Sequence, residues 1–260
     1  MSMKANLDTT RVLWKRDLVR FVRQRSRLVG ALMQPLVFWG LIGGGMSSTF
    51  QLPGATGLGY MEYFYPGILV MLVLFASIFG TISVVEDRHE GFLQSVLAGP
   101  GSRSAVVMGK SLGVSSIGLL QAVLFLAFLP LTPFVASSID WLSLFATLTL
   151  GAIGLSAFGF ALAWLIDSTQ GYHAVMSIVL LPAWVLSGAM FPPSDDHPVL
   201  ATLMGVNPMS YMVSGVRRAF YGDLPGGMTL SASSAVDLAV VGGFAVGALA
   251  LATFICHRRR

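Results

Sequence analysis

Residues 86–110 read EDRHEGFLQSVLAGPGSRSAVVMGK. They form a polar island between two long apolar runs, and the island carries a helical pattern of its own. Asp87 and Glu90 have capping-box spacing, and Gly99-Pro100 has the composition of a helix stop. Between them Phe92, Leu93, Val96 and Leu97 share one helical face. A helix from Glu90 to Ala98 is too short to cross a bilayer and too regularly patterned for a plain connector. It reads as a surface for a partner to grip.

Outward from the island the chain turns apolar. Of its 260 residues 55% are hydrophobic and 11% are charged, whereas soluble domains carry about 25% charged residues. A soluble core cannot use that much apolar surface; lipid can. A helical span needs roughly 20 apolar residues. Six runs qualify: 29–46, 65–84, 111–135, 141–166, 174–190 and 235–256, none containing Lys or Arg. The third and fourth are long enough to tilt or to break near Pro130 and Pro133. The expected fold is an all-α integral membrane domain covering residues 1–260. It has an interfacial segment (1–28), a six-span bundle (29–256) and a short tail (257–260).

Basic residues set the expected orientation. Fourteen of the sixteen Lys and Arg residues precede the first span, lie between spans two and three, or follow the last span. Only Arg217 and Arg218 fall on the other side. By the positive-inside rule both termini are cytoplasmic. The net charge of +4 is therefore topological and gives no ground for nucleic-acid binding. The first apolar run is too long for a cleavable leader. Cys256 is the only cysteine, which excludes a disulfide within the chain.

Residues 9–27 read as a basic amphipathic helix, with Trp14, Leu18, Phe21 and Val22 on one face. Arg16, Arg20, Arg23 and Arg27 lie on the other, expected near anionic head groups. Gly40 with Gly44, and Gly243 with Gly247, have the GxxxG spacing of helix-packing surfaces. The segment from Phe191 to Ser234 is long and patterned: Met209, Met212, Val213, Val216 and Phe220 share one face, and Ser210, Ser214, Arg217 and Tyr221 another. Asn207-Pro208 supplies a cap and a first-turn proline. An amphipathic external helix is expected, at the interface or re-entrant, with its arginines kept out of mid-bilayer by their cost.

Chemical motifs are few. His89, His173, His197 and His257 have no metal-ligand spacing. Asp167 and Asp237 sit at span ends, where capping accounts for them, and no intramembrane carboxylate pair is evident. There is no GxSxG or HExxH. Gly109-Lys110-Ser111 imitates the end of a P-loop, but Ser104 stands where its first glycine belongs. Lys110 is expected to mark the start of span three.

The order of these parts resembles the permease subunit of type-2 ATP-binding-cassette (ABC) exporters. Two patterns carry the likeness. Glu90-Gly91, Leu93, Leu97, Pro100, Arg103 and Gly109-Lys110 resemble that family's cytoplasmic loop. Ser187-Gly188, Phe191-Pro192, Asn207-Pro208, Tyr211 and Arg217 resemble its segment after span five. The resemblance implies a dimer of permeases, or a pair with a close paralogue, in a bacterial or archaeal inner membrane, above separate ABC ATPase subunits that hold ATP-Mg. This chain would bind no cofactor and hydrolyse nothing itself. Glu90, Gly91, Phe92, Leu93, Gln94, Val96, Leu97 and Pro100 would form the coupling helix and its flanks. Each apolar side chain enclosed by the ATPase would contribute roughly 1.5–3 kcal/mol. Family members move drugs, lipids, polyketides, glycolipids or polysaccharides. Here the aromatic and Met content favours an amphipathic drug or lipid cargo, although lipid-facing helices have the same composition. An ion-coupled carrier would need an ionisable mid-membrane site. A non-transporting scaffold would bind a partner without stimulating nucleotide hydrolysis.

Overall fold

The structure, a computed structural model, describes residues 2–46, 59–192, 198–222, 231 and 233–258, without the side chains of Arg25 and Arg27. Most of the expected first external loop, His197, Arg259 and Arg260 lie outside the described residues. Ten α-helices run in order among those described: α1 (Met3–Arg23), α2 (Arg25–Met46), α3 (Tyr60–His89), α4 (Phe92–Leu97), α5 (Arg103–Leu126), α6 (Trp141–Leu165), α7 (Thr169–Trp184), α8 (Pro198–Val206), α9 (Pro208–Tyr221) and α10 (Ser234–Arg258). Six of them, α2, α3, α5, α6, α7 and α10, are long and apolar enough to span a membrane. No strand occurs among the described residues. That is the outcome lipid demands, because a helix satisfies its backbone polar groups internally.

The bundle is built around α3. It is buried along nearly its whole length and packs on α2, α5 and α6, while α10 lies against α6 and α1 against α5. α1 comes close because Gly109 and Gly113 line that face of α5. A Cβ on Gly109 would stand 2.9 Å from Leu13 Cβ, and one on Gly113 3.0 Å from Asp17 Cβ. The ends of the helices are set by local chemistry. Ser102 Oγ accepts from the Ala105 N–H, Asp140 from Ser143, Ser168 from Gly171 and Asn207 from Met209, each satisfying an orphan donor. At the other ends arginines serve. Arg88 donates to the carbonyls of Ala163 and Trp164 at the end of α6, and Arg103 to those of Cys256 and His257 at the end of α10. These placements use the helix dipole as well as the free carbonyls.

Several expected boundaries move. α3 extends past Glu86, Asp87 and Arg88, and α5 starts at Arg103 rather than Ser111. Span three ends at Leu126 and gives way to short 3-10 turns at Leu129–Leu131 and Ala136–Ser138, since Pro130 cannot continue the ladder. The capping box does not form. Asp87 belongs to α3, and α4 is instead capped by Gly91 in the left-handed region (φ 76°). The short helix is therefore Phe92–Leu97, not Glu90–Ala98. α7 ends in a π turn, Val185–Ala189, in which Gly188 has φ 80°. α8 and α9 meet at 82° around Asn207, the geometry of a broken or re-entrant pair. A Cβ built on Gly40, Gly243 or Gly247 would meet no described residue within 4 Å.

Candidate functional site

At the end of the bundle that carries α1 and the C-terminus of α10, hereafter the basic end, four charges from three helices converge. Arg16 of α1 donates to both carboxylate oxygens of Asp87 of α3, at 2.8 Å each. Lys110 of α5 donates to Asp17 Oδ1 (3.1 Å), Ser83 Oγ (3.3 Å) and Asp87 Oδ2. Asp87 and Lys110 have no solvent exposure and Asp17 has 6%. Arg20 and Glu86 pair at the rim (3.3 Å). Burial holds the Asp17 carboxyl above its ordinary value despite the pull of Lys110, and its Oδ2 has no hydrogen-bond partner among the described residues. The Arg16 guanidinium is raised by its hydrogen bonds to Asp87, against burial.

The cluster corrects two expectations. Arg16 and Arg20 turn toward protein rather than toward head groups, and the buried stripe of α1 is Leu13, Asp17 and Phe21, leaving Trp14 and Val22 exposed. Lys110 stands inside α5 rather than at its start, and it is the centre of the cluster. An apolar stripe interrupted by one aspartate was the available signal in the sequence. Such a residue stays on a buried face when a cation on a neighbouring helix meets it.

α4 is mounted directly beside this cluster. The Arg16 guanidinium lies 3.9 Å from the Phe92 ring centroid, and Leu93 is fully buried within the chain against its own helices. Phe92, Val96 and Leu97 are half-buried, whereas Glu90, Gln94, Ser95, Ala98 and Pro100 are exposed. The apolar face read from the sequence thus seats α4 on its own bundle, and Leu93 in particular is not a free contact. Alongside runs a groove of about 390 Å³ bordered by Arg88, His89, Leu93, Gln94, Leu97 and Asp167. What the short helix offers outward is a polar ridge with a groove at its side.

At the opposite end the second sequence pattern closes on itself. Arg217 of α9 is 1% exposed. It donates to the Gly188 carbonyl (2.7 Å) and lies 3.9 Å over the Tyr63 ring centroid, while Tyr63 Oη donates to the same carbonyl (2.8 Å). The expected solvent-facing polar side of α9 is inside: Ser210, Ser214 and Arg217 are all buried. The unwound turn at Gly188 frees carbonyls that a regular helix would consume, and these receive the guanidinium. Asn207 Nδ2 donates to Ala183 O (2.6 Å), tying the α8–α9 corner to α7, and Tyr211 Oη donates to Gly205 O (2.9 Å) across the corner itself. Arg218 pairs with Asp237 of α10 (3.2 Å), so Asp237 joins two helices as well as standing in a first turn. Among the described residues no group of His, Cys, Asp and Glu is placed to hold a metal ion.

A bundle of six spans, with a short helix seated at one end and a bent helix pair folded in at the other, can be compared with known proteins. The model of the ABC-2 type transporter family matches residues 9–221. The chain belongs to that family. Its similar relatives include the putative transport permease ycf38 of Cyanophora paradoxa, 26% identical over 79% of this chain and 72% of that protein. The inner membrane transport permease YadH of Escherichia coli K12 is 24% identical over 82% of this chain and 84% of its own length. Nodulation protein J of Neorhizobium galegae is 22% identical over 81% and 80%. As an ABC-2 permease the chain is a multi-pass membrane protein and a transporter subunit rather than an enzyme.

Proposed function

We propose that this permease forms the translocation path of an ATP-driven exporter, paired with a second copy or close paralogue and powered by separate ATPase subunits that dock on α4. In this reading the basic end is cytoplasmic, residues 1–260 act as one membrane domain, and ATP-Mg is held by the ATPase. The cargo is an amphipathic drug, lipid, polyketide or glycolipid. The observation that carries the proposal is the mounting of α4. Its outer ridge (Glu90, Gln94, Ser95, Ala98, Pro100) is exposed, while its inner side is held by Leu93 and by Arg16 over Phe92. Arg16 and Lys110 bind α1, α3 and α5 through Asp87, and Arg88 binds α3 to α6. A push on the ridge is therefore delivered to four helices at once. An ATPase that contacts the ridge differently in its open and closed states shifts the balance of the permease between two arrangements.

The test is affinity purification of the tagged permease from its own membranes in mild detergent, with ATP hydrolysis assayed on the product. A stoichiometric P-loop ATPase is expected. It should be lost when Gln94 and Ala98 are both changed to Asp, with thermal unfolding of the permease unchanged. Leu93→Asp is a poor probe, because it would place a carboxylate in the core. A preparation that holds no ATPase even after crosslinking would reject the exporter reading in favour of an ion-coupled carrier or a scaffold.

A further inference from the structure

Between α2 and α5, across the face of α3, lies a cavity of about 380 Å³. It exists because α2 leans on α3 and touches α5 only lightly. Its long wall is the α3 stripe Phe75, Phe79, Ile82 and Glu86, which rises about 16 Å along the helix. Phe75 and Phe79 are stacked with ring centroids 5.9 Å apart, and the His173 ring lies 5.9 Å beyond Phe79. Glu86 lines the cavity toward the basic end and is already paired with Arg20. That neutralised pair gives this end of the cavity little preference for either sign of charge.

Farther in, the wall is polar in a way that packing does not require. Gln121 of α5 is 4% exposed and lines the cavity, and its amide makes no hydrogen bond to any described residue. Gln34 of α2 brings a second amide to the same space. Pro35, one residue on, has no N–H to give the Ala31 carbonyl, and Ala31 also lines the cavity. An amide that faces this space without a protein partner is open to a ligand's polar group. The cavity therefore presents amide donors and acceptors beside an aromatic wall. Its volume is that of a site for one drug-sized molecule and not for a polymer strand.

We propose that this cavity binds an uncharged amphiphile, a hydrophobic and largely flat body bearing a hydroxyl or amide group that hydrogen-bonds to Gln121. Aromatic faces of the ligand stack on Phe75 and Phe79, and its polar group satisfies the Gln121 amide. The opening between α2 and α5 admits it from the membrane, so capture needs no aqueous route. The inference deepens the exporter reading and rests on it only for the fate of the ligand after capture; binding itself needs neither ATP nor an ATPase.

Photolabelling of the full-length permease in lipid nanodiscs tests the site. The probes are 4-hydroxybenzophenone and unsubstituted benzophenone, with labelled positions mapped by peptide mass spectrometry. The hydroxylated probe should label peptides of 30–35 and 75–86 about fivefold more than benzophenone, the value of one buried hydrogen bond. Gln121→Met, which keeps the side-chain length, should abolish that preference while leaving benzophenone labelling in place. Gly30→Trp, at a position open to the cavity, should block both probes. Labelling spread evenly over the lipid-facing helices, or a hydroxyl preference that survives Gln121→Met, overturns the proposal. Site-specific labelling of a permease that holds no ATPase would instead remove the exporter reading and leave the cavity assignment standing.

Discussion

The two ends of α3 bury charge by opposite means. At the basic end Arg16, Asp17, Asp87 and Lys110 neutralise one another, side chain to side chain, across three helices. At the other end Arg217 is met by backbone, the carbonyls around Gly188, and by the face of Tyr63. A cluster of paired side chains is discrete: removing one member strands the others in a low-dielectric site. A carbonyl-lined seat is graded, since the dipoles stay where the backbone puts them and water or a shorter cation can use them. The two ends should therefore respond differently to substitution, the first through charge and the second through shape.

The largest effect is expected at Asp87. Asp87→Ala leaves Arg16 and Lys110 without their shared acceptor and should cost about 3–5 kcal/mol, read as thermal unfolding of the purified permease. The further change Lys110→Met should recover part of that loss, which a merely steric role for Asp87 would not allow. Next comes Arg217→Ala, expected to cost about 2–3 kcal/mol from the lost charged hydrogen bonds and ring contact. Arg217→Lys should restore much of it if the carbonyl seat is what matters. If both ends tolerate charge removal equally, the contrast between them is wrong.

Smaller still is Gly91→Ala. A Cβ at φ 76° costs about 1–2 kcal/mol, and the strain should tilt α4. ATPase copurification should fall more than unfolding temperature does. The smallest effect is a pH slope. Burial raises the folded-state value of Asp17 above 3.8, so the folded chain holds its proton more tightly than the unfolded one. The stability this confers is complete below pH 3.8 and is lost as pH rises through the raised value. Asp17→Asn should flatten unfolding free energy over that window. An unchanged slope would mean that Lys110 compensates Asp17 fully.

The spans are legible in the sequence because lipid leaves few alternatives, and the Asn207-Pro208 cap because capping is local. The ends of α3 and α5 are not, for a shared reason. Glu86, Asp87, Arg88 and Lys110 look like span terminators one at a time, but they sit within helices once they meet partners from α1 and α6. The buried face of α1 is hidden because Asp17, taken alone, belongs on a wet surface. Arg217 escapes because its seat depends on the left-handed Gly188 and on Tyr63, more than a hundred residues upstream. Sequence pattern shows which residues are apolar; it does not show which charges will find one another.

α3 itself has one further consequence. It runs as a single helix from Tyr60 to His89, about 45 Å, with Tyr63 under Arg217 near one end and Asp87 in the ion cluster near the other. A stiff rod fixed at both ends has no private motion at either. In the proposed exporter, whatever binds beside Arg217 and favours one setting of the rod changes, by the same free energy, the affinity of α4 for the ATPase. On that reading the face proposed to release cargo and the face proposed to receive force are two readings of one equilibrium.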